Sequence, residues 1–235
     1  ENNNVYNSSY DSLKVFYDEI LKERNALAHR ENLMEDDEEK FKLIRKNIIK
    51  HKKSFEELIK DLQTSNSEKV RYNAARILGE MGDFSAVAPL IDVLKNDKNG
   101  SVRLYAARAL GELGDTKATV PLIESLREDR NVDVRVRAAR ALGRLGGKIV
   151  VEPLVEALND ENPQVCITAT DALIEIGDVA TDALIESLDH QKVNVRCDAT
   201  RALGEIGNKK AVEKIIKMLK DEWVNVRIYA VTSLG

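Results

Sequence analysis

Residues 102–115 read VRLYAARALGELGD, and close copies of this phrase recur along the chain. The clearest copies are VRYNAARILGEMGD at 70–83, VRVRAARALGRLGG at 134–147 and VRCDATRALGEIGN at 195–208. Two more divergent copies open at Val165 and Val226. The six opening valines are 30 to 32 residues apart. A period of this length is typical of stacked supersecondary units.

Within each copy the apolar residues have the spacing of a helix. Val102, Ala106 and Leu110 fall at i, i+4 and i+8, which places them on one helical face. A second phrase lies between the copies, as in AVAPLIDVL from Ala86, where Leu90 and Leu94 have the same spacing. Each unit is therefore predicted to contain a shorter helix A, a loop and a helix B.

Ten of the twelve glycines occupy two repeated slots. One slot lies just past helix B, where glycine can adopt the left-handed conformation that ends a helix. The other lies inside helix B, as at Gly79, Gly111 and Gly143. A glycine inside a helix costs about 1 kcal/mol relative to alanine. Its recurrence predicts that a neighbouring helix approaches too closely for a side chain.

These repeats resemble HEAT-like repeats of the type first described in phycobilisome lyases. The resemblance covers residues 55–235 and implies an all-α fold, a right-handed α-solenoid of about six helix pairs. The expected units are 55–82, 83–114, 115–146, 147–177, 178–207 and 208–235. A terminal repeat normally carries a polar cap. None is visible before Gly235, so we expect the array to continue or to be covered by a partner there.

An Asp precedes the recurring Arg by six residues in several units. The pairs are Asp97–Arg103, Asp129–Arg135 and Asp221–Arg227. We expect each pair to span the loop between helices A and B, and the resemblance implies a ladder along the stack. A row of cations that binds phosphate is the alternative. Asp160 faces Cys166 instead of Arg, which predicts a local weakness or a specialised contact in the fourth unit.

In solenoids of this kind helix B lines the concave face, so its variable positions are candidate partner contacts. The second residue after each opening valine is apolar or aromatic in all six units: Tyr72, Leu104, Val136, Ile167, Cys197 and Ile228. Such a strip is typical of a protein-binding surface, although burial between neighbouring B helices would also explain it. The predicted partner-binding residues are Tyr72, Arg76, Leu104, Tyr105, Arg108, Val136, Arg137, Arg140, Arg144, Ile167, Asp171, Arg201, Ile228 and Tyr229.

The charges on the B helices change character along the array. Units one, two and five carry i, i+4 pairs that can neutralise each other: Arg76–Glu80, Arg108–Glu112 and Arg201–Glu205. The third unit instead places Arg137, Arg140 and Arg144 on one helix face. These arginines either hold an acidic peptide or phosphate, or pair with Asp171 and Glu175 of the next unit.

Residues 1–54 do not match the repeat. We expect a flexible tail over 1–10 and a helical extension over 11–54. Residues 40–53, KFKLIRKNIIKHKK, carry seven Lys or Arg and no acid. This segment is predicted to cap the first repeat. Contact with a membrane surface or nucleic acid and dimerisation through residues 11–30 are alternatives.

No convergent catalytic set is visible in the sequence. None of the three histidines, His29, His51 and His190, has a metal-ligand partner three or four residues on. The His-Glu pairs of HEAT-like di-iron hydroxylases are absent. Cys166 and Cys197, the two cysteines, occupy different slots. We therefore expect no enzymatic activity, no cofactor and no metal site.

The function expected from these features is a cytoplasmic protein- or peptide-binding scaffold. Its partner carries an acidic segment if the arginines of the third unit are a partner contact. No apolar run approaches the eighteen or more residues that a membrane span requires, and no secretory signal is visible. One alternative is a phycobilin-lyase-like chaperone or enzyme subunit. Another is nucleic-acid binding through the arginine-rich first three repeats, which the net charge of −4 disfavours.

Overall fold

The computed structural model describes residues 55–235, and all regular secondary structure in this range is helical. The predicted tail, the helical extension and its basic segment 40–53 lie outside the described residues. No helix among the described residues has both the length and the apolar character needed to cross a membrane.

The α-helices alternate between short and long. They are α1 (55–64), α2 (Glu68–Met81), α3 (Val87–Asn96), α4 (Gly100–Leu113), α5 (Thr119–Glu128), α6 (Val132–Leu145), α7 (Val151–Ala157), α8 (Pro163–Ile176), α9 (Thr181–Ser187), α10 (Val193–Ile206), α11 (Val212–Met218) and α12 (Val224–Leu234). Short 3-10 helices lead into the odd-numbered helices from α3 onward, at Phe84–Ala86, Thr116–Ala118, Lys148–Val150, Gly177–Ala180 and Lys209–Ala211.

Consecutive helices form six pairs, α1–α2 to α11–α12, in which the odd-numbered helix is the A helix and the even-numbered one the B helix. Each B helix packs against the B helices of the neighbouring pairs, and the A helices form a second layer. Val102, Ala106 and Leu110 of α4 are fully buried, as are Leu90 and Leu94 of α3 to within 1%. The predicted apolar stripes are therefore the core, and the fold is the predicted all-α solenoid.

The glycines inside the B helices mark points of close approach. A Cβ on Gly111 would lie 2.7 Å from Cβ of Ala141 and 2.9 Å from its Cα. Gly79 and Gly143 have the same relation to alanines of the following B helix, and Ile174 takes this slot in α8. The predicted close approach is confirmed for the pairs that carry the glycine.

Gly111→Ala is predicted to lower the free energy of unfolding by about 1–3 kcal/mol, because α6 must shift to admit the methyl group. In a free helix the same change would stabilise by about 1 kcal/mol. The sign is therefore diagnostic in thermal or urea unfolding, with Ser101→Ala on the exposed side of α4 as the control. A midpoint at or above that of the wild type would contradict the close approach.

A ladder of ion pairs joins successive helix pairs along one edge of the stack. Nε and Nη2 of Arg103 donate to the two carboxylate oxygens of Asp129 at 2.6 and 2.7 Å. The other bidentate pairs are Arg71–Asp97, Arg135–Asp160 and Arg196–Asp221. Each arginine thus reaches the aspartate of the next helix pair, 25 or 26 residues further along the chain.

The observed ion pairs differ from the predicted ones, because each joins two successive helix pairs and does not span the loop within one. The aspartate six residues before each arginine does not offer it a carboxylate. It offers its main-chain carbonyl instead. The carbonyl of Asp97 accepts from Nη1 of Arg103 at 2.8 Å, and the carbonyl of Asp221 accepts from Nη1 of Arg227 at 2.8 Å. The carboxylate faces the preceding pair instead, and one of its oxygens also caps the start of the B-helix segment, as Asp97 does for the N–H of Asn99.

The interruption predicted at Asp160 also falls elsewhere. Asp160 has its ion pair, with Arg135 of the preceding pair. The missing rung lies between the fourth and fifth pairs, where Cys166 stands in the arginine slot and His190 in the aspartate slot. Both members of the ion pair are replaced together, so neither charge is left alone in the interior.

The ladder groups are almost fully buried, and burial alone would raise the pKa of the Asp97 carboxyl. Hydrogen bonds from Arg71 and from the N–H of Asn99, together with the charges of Arg71 and Arg103, outweigh that effect and lower the pKa of Asp97. A lowered folded-state pKa gives stability that is complete above the ordinary aspartate pKa of about 4 and is lost as the pH falls through the lowered value.

Asp97→Asn is predicted to cost about 3 kcal/mol of unfolding free energy at neutral pH, because it leaves the buried Arg71 guanidinium without its counter-charge. The loss should shrink in acid, where the wild-type carboxylate is protonated as well. The control is Glu124→Gln, which breaks the exposed Lys95–Glu124 pair and should cost about 1 kcal/mol or less. Equal losses in the two variants in urea titrations would show that the ladder does not hold the pairs together.

Candidate functional site

The exposed side of α2, α4, α6, α8, α10 and α12, here called the B-helix face, carries the predicted partner-binding residues. Tyr72 and Tyr105 stack on it, with ring centroids 5.2 Å apart and an angle of 20° between the planes. Leu104 and Val136 are half-buried between neighbouring helices. Burial between B helices therefore explains the apolar strip in the first three pairs.

The strip is exposed further along the array. Ile167 and Ile228 are 47% and 53% exposed, and Tyr229 is 38% exposed. Cys197, between them in the strip, is buried. The apolar surface available to a partner thus lies mainly in the last three pairs.

Most of the predicted charged residues on this face already have partners. Arg76 and Arg108 bind Glu80 and Glu112 of their own helices, each at 2.7 Å. Arg201 binds Glu205 of its own helix and also Asp171 of α8, both at 3.0 Å.

Asp171 therefore forms its ion pair with an arginine of the fifth helix pair and not with one of the third. Arg137, Arg140 and Arg144 form no hydrogen bond or ion pair with another residue in the range 55–235. The alternative in which these arginines pair with Asp171 and Glu175 is wrong for the described part of the chain. For Asp171 the reason is geometric, since the guanidinium of Arg201 reaches it across the junction between α10 and α8, whereas Glu175 forms no ion pair with any described residue.

The three arginines share one shallow space, here called the arginine cleft, with Arg108 and Glu112. Its volume is about 90 Å³. Arg137 is half-buried, and Arg140 and Arg144 are exposed. Because Glu112 already neutralises Arg108, three positive charges face solvent side by side. Guanidinium groups in this arrangement suit a carboxylate or a phosphate, which they bind by paired N–H donors.

A larger space crosses α8, α10 and α12 and is here called the acidic groove. It has a volume of about 550 Å³ and includes the exposed side chains of Ile167, Ile228 and Tyr229. Its charged lining residues are Asp160, Glu161 and Asp198, and no Lys or Arg of the described chain lines it. Asp160 and Glu161 are paired with Arg135, so among the described residues Asp198 supplies the unpaired negative charge beside the apolar surface of the groove.

Asp198 is the acidic residue of this groove that has no partner. It is half-buried and forms no hydrogen bond or ion pair with another residue of the described chain. Burial raises the pKa of its carboxyl, the charge of Arg201 opposes this shift, and the charge of Asp171 adds to it. Asp198 is not among the predicted partner-binding residues, because its slot holds residues as different as Tyr105 and Arg137 in other units and shows no recurring pattern.

Both cysteines of the chain line the same groove. Burial raises the pKa of the Cys166 and Cys197 thiols, and the nearby charge of Asp198 raises it further. Sγ of Cys166 donates to the main-chain carbonyl of Asp160 at 3.3 Å. The thiols are therefore held protonated, which disfavours a role as nucleophiles. Within residues 55–235 no three His, Cys, Asp or Glu side chains are grouped so as to hold a metal ion.

Asp198→Asn is predicted to raise the midpoint of thermal unfolding at neutral pH, the opposite of Asp97→Asn. A folded-state pKa above the ordinary value means that the carboxylate destabilises the fold at neutral pH and ceases to do so in acid. The gain should therefore fade as the pH falls through the raised folded-state pKa, and it should be gone once the pH is below the ordinary aspartate pKa of about 4. A lower midpoint for the variant at neutral pH would show that the carboxylate has a stabilising partner.

A family model of HEAT repeats matches residues 55–132, 119–193 and 181–235. The structure is similar to a chain in the complex of CpcE and CpcF of phycocyanin lyase from Nostoc sp. PCC7120. The two are 32% identical with a TM-score of 0.53, over 77% of this chain and 76% of that chain. An engineered protein is 27% identical with a TM-score of 0.50, over 77% of this chain and 96% of its own.

The archaeal HEAT-like repeats protein from Thermococcus onnurineus NA1 has a TM-score of 0.51 at 17% identity, over 76% of this chain and 78% of that chain, and shows the fold alone. No curated protein sequence matches the chain significantly. Because the repeat model covers well over half of the sequence, the chain belongs to the HEAT-repeat family, as its repeated phrases indicate.

Proposed function

We propose that the protein is a scaffold that binds a protein or peptide on its B-helix face, with an acidic segment of the partner held in the arginine cleft. One observation carries the proposal. Arg137, Arg140 and Arg144 are unpaired among the described residues, while Glu112 and Asp171 are occupied by Arg108 and Arg201. Glu175 of α8 lies near α6, with Oε2 3.3 Å from where a Cβ on Gly143 would be, but it forms no ion pair with the arginines.

Folding does not account for this arrangement. Exposed charges contribute little to stability, and three like charges on one helix face repel each other. Bidentate N–H donors at fixed positions on a helix suit the carboxylates of an extended acidic segment. The stacked helices fix the main-chain positions from which these side chains extend, so binding requires no ordering of the main chain of this face.

The experiment is a fluorescence-anisotropy titration with a labelled peptide library that contains a fixed run of Asp and Glu. The Arg140→Glu, Arg144→Glu double variant is predicted to lose at least about tenfold in affinity, which corresponds to 1.4 kcal/mol. Wild-type binding should weaken as salt is added, because the contacts are exposed.

The matched control is Lys209→Glu with Lys217→Glu, which changes the net charge equally at exposed positions outside the B-helix face. Its affinity for the acidic library should stay within about twofold of the wild type. Equal losses in the two double variants would reduce the effect to net charge. Equal affinity for a library with Asn and Gln in place of the acids would overturn the proposal.

The similarity to a phycocyanin lyase chain at 32% identity favours a second candidate, a chaperone or lyase subunit for a bilin. A bilin is an extended tetrapyrrole with carboxylate side chains, and the apolar and charged surfaces of the B-helix face are compatible with such a ligand. An absorbance titration with a free bilin tests it. A saturable spectral change at one molar equivalent would favour this candidate over the peptide scaffold.

A further inference from the structure

The junction between the fourth and fifth helix pairs departs from the repeat at three slots at once. The ladder slots hold Cys166 and His190 in place of Arg and Asp, and the slot inside α8 holds Ile174 in place of Gly. At the other junctions of the described array the ladder pair and the glycine are both present. This junction therefore lacks the ion pair and the close approach together.

The acidic groove opens at this junction. Cys166 and Ile167 of α8 form one wall, and Cys197 and Asp198 of α10 form the other. The packing of α8 against α10 is less extensive than that between the other neighbouring B helices. Since the substitutions remove what draws two pairs together, they account for the opening of the groove at this junction.

The groove retains the acceptor of a guanidinium group that the chain does not supply. In the other five helix pairs the arginine of the B helix donates from Nη1 to a main-chain carbonyl six residues earlier, at 2.8 or 2.9 Å. In the fourth pair that carbonyl belongs to Asp160, a residue that lines the groove. Among the described residues the carbonyl accepts only the weak thiol donor of Cys166, at 3.3 Å.

The rest of the lining suits the same kind of group. The half-buried carboxylate of Asp198 has no partner among the described residues and lies on the opposite wall. Ile167 and Ile228 offer apolar surface to an aliphatic stem, and the Tyr229 ring offers a face on which a guanidinium can stack. A lysine has a single ammonium and would satisfy fewer of these acceptors than the planar fork of an arginine.

We propose that the acidic groove binds an arginine side chain of a partner peptide, with apolar residues on either side of that arginine. The guanidinium donates to the main-chain carbonyl of Asp160 and to the carboxylate of Asp198. The proposal rests on the proposed function in one respect, that the ligand is a peptide segment. It does not require the arginine cleft to be occupied. A segment that binds both sites carries acidic residues at one end and an arginine at the other.

The test uses the two cysteines as reporters, since they are the only thiols in the chain and both line the groove. The full chain is alkylated with iodoacetamide in the presence of a capped Leu-Arg-Leu peptide, and the rate is followed by mass spectrometry. Because both thiols are held protonated, alkylation is slow, and all rates are compared at one fixed pH above neutrality. Peptides with Lys or with uncharged citrulline in place of Arg are the comparison. The Arg peptide is expected to slow alkylation at least threefold, the Lys peptide less and the citrulline peptide not measurably.

Two variants, titrated with the fluorescein-labelled Arg peptide, separate binding from folding. The double variant Cys166→Arg, His190→Asp restores the ladder, so it should raise the unfolding midpoint. Its affinity for the Arg peptide should fall at least about tenfold. Asp198→Asn should keep the fold, which its unfolding curve checks. Its affinity for the same peptide should fall about tenfold, because the charge-assisted contact is lost. Undiminished affinity in both variants would overturn the proposal, as would equal protection by the Arg and citrulline peptides.

The outcome is distinct from that of the acidic-library experiment. The Arg140→Glu, Arg144→Glu double variant should retain its affinity for the Arg peptide within about twofold, because neither residue lines the acidic groove. Suppose that this variant loses its affinity for the acidic library, and that the Arg peptide does not protect the wild-type cysteines from alkylation. The proposed function would then stand, and the groove proposal would be overturned.

Discussion

The buried bidentate ion pair between the arginine of one helix pair and the aspartate of the next is the constraint on which the rest of the structure depends. Neither charge can be buried alone without a cost of several kcal/mol, so each rung fixes the register between two helix pairs. The glycines facing Ala109, Ala141 and Ala172 then set the spacing of the B helices. Register and spacing together decide which side chains become neighbours, including the Tyr72–Tyr105 stack and the Arg201–Asp171 pair.

The same constraint gives meaning to the one junction of the described array that lacks it. A single loss of Arg or Asp would leave a buried charge without a partner, which is expensive. Cys166 and His190 replace both members, and Ile174 replaces the glycine that would draw α8 and α10 together. In a sequence that is otherwise locally consistent, departures concentrated at one place are expected at functional positions. Here they coincide with the larger of the two sites on the B-helix face.

The sequence was sufficient to predict the helix pairs, their core residues and the close approach at Gly111, because each of these follows from the slots within one repeat. The ladder partners did not follow from it. A period of about 31 residues shows that the slots are equivalent, but not whether Arg103 reaches Asp97 in its own unit or Asp129 in the next. The same ambiguity concealed the pairing of Asp171 with Arg201. Asp198 is not among the predicted contacts because the groove that it lines is formed by three different repeats, which no pattern within one repeat records.

The two sites differ in sign, and their order along the B-helix face restricts how a partner can lie. The arginine cleft belongs to the second and third pairs, and the acidic groove to the fourth, fifth and sixth. A segment with an acidic and a basic end makes favourable charge contacts at both sites when it lies in one direction. In the opposite direction like charges face each other at both sites, which costs several kcal/mol of binding free energy. The rigid stack also holds the sites at a fixed separation, so occupation of one raises the effective concentration of the segment at the other. Direction and spacing, rather than the strength of either contact alone, would then determine which partner is selected.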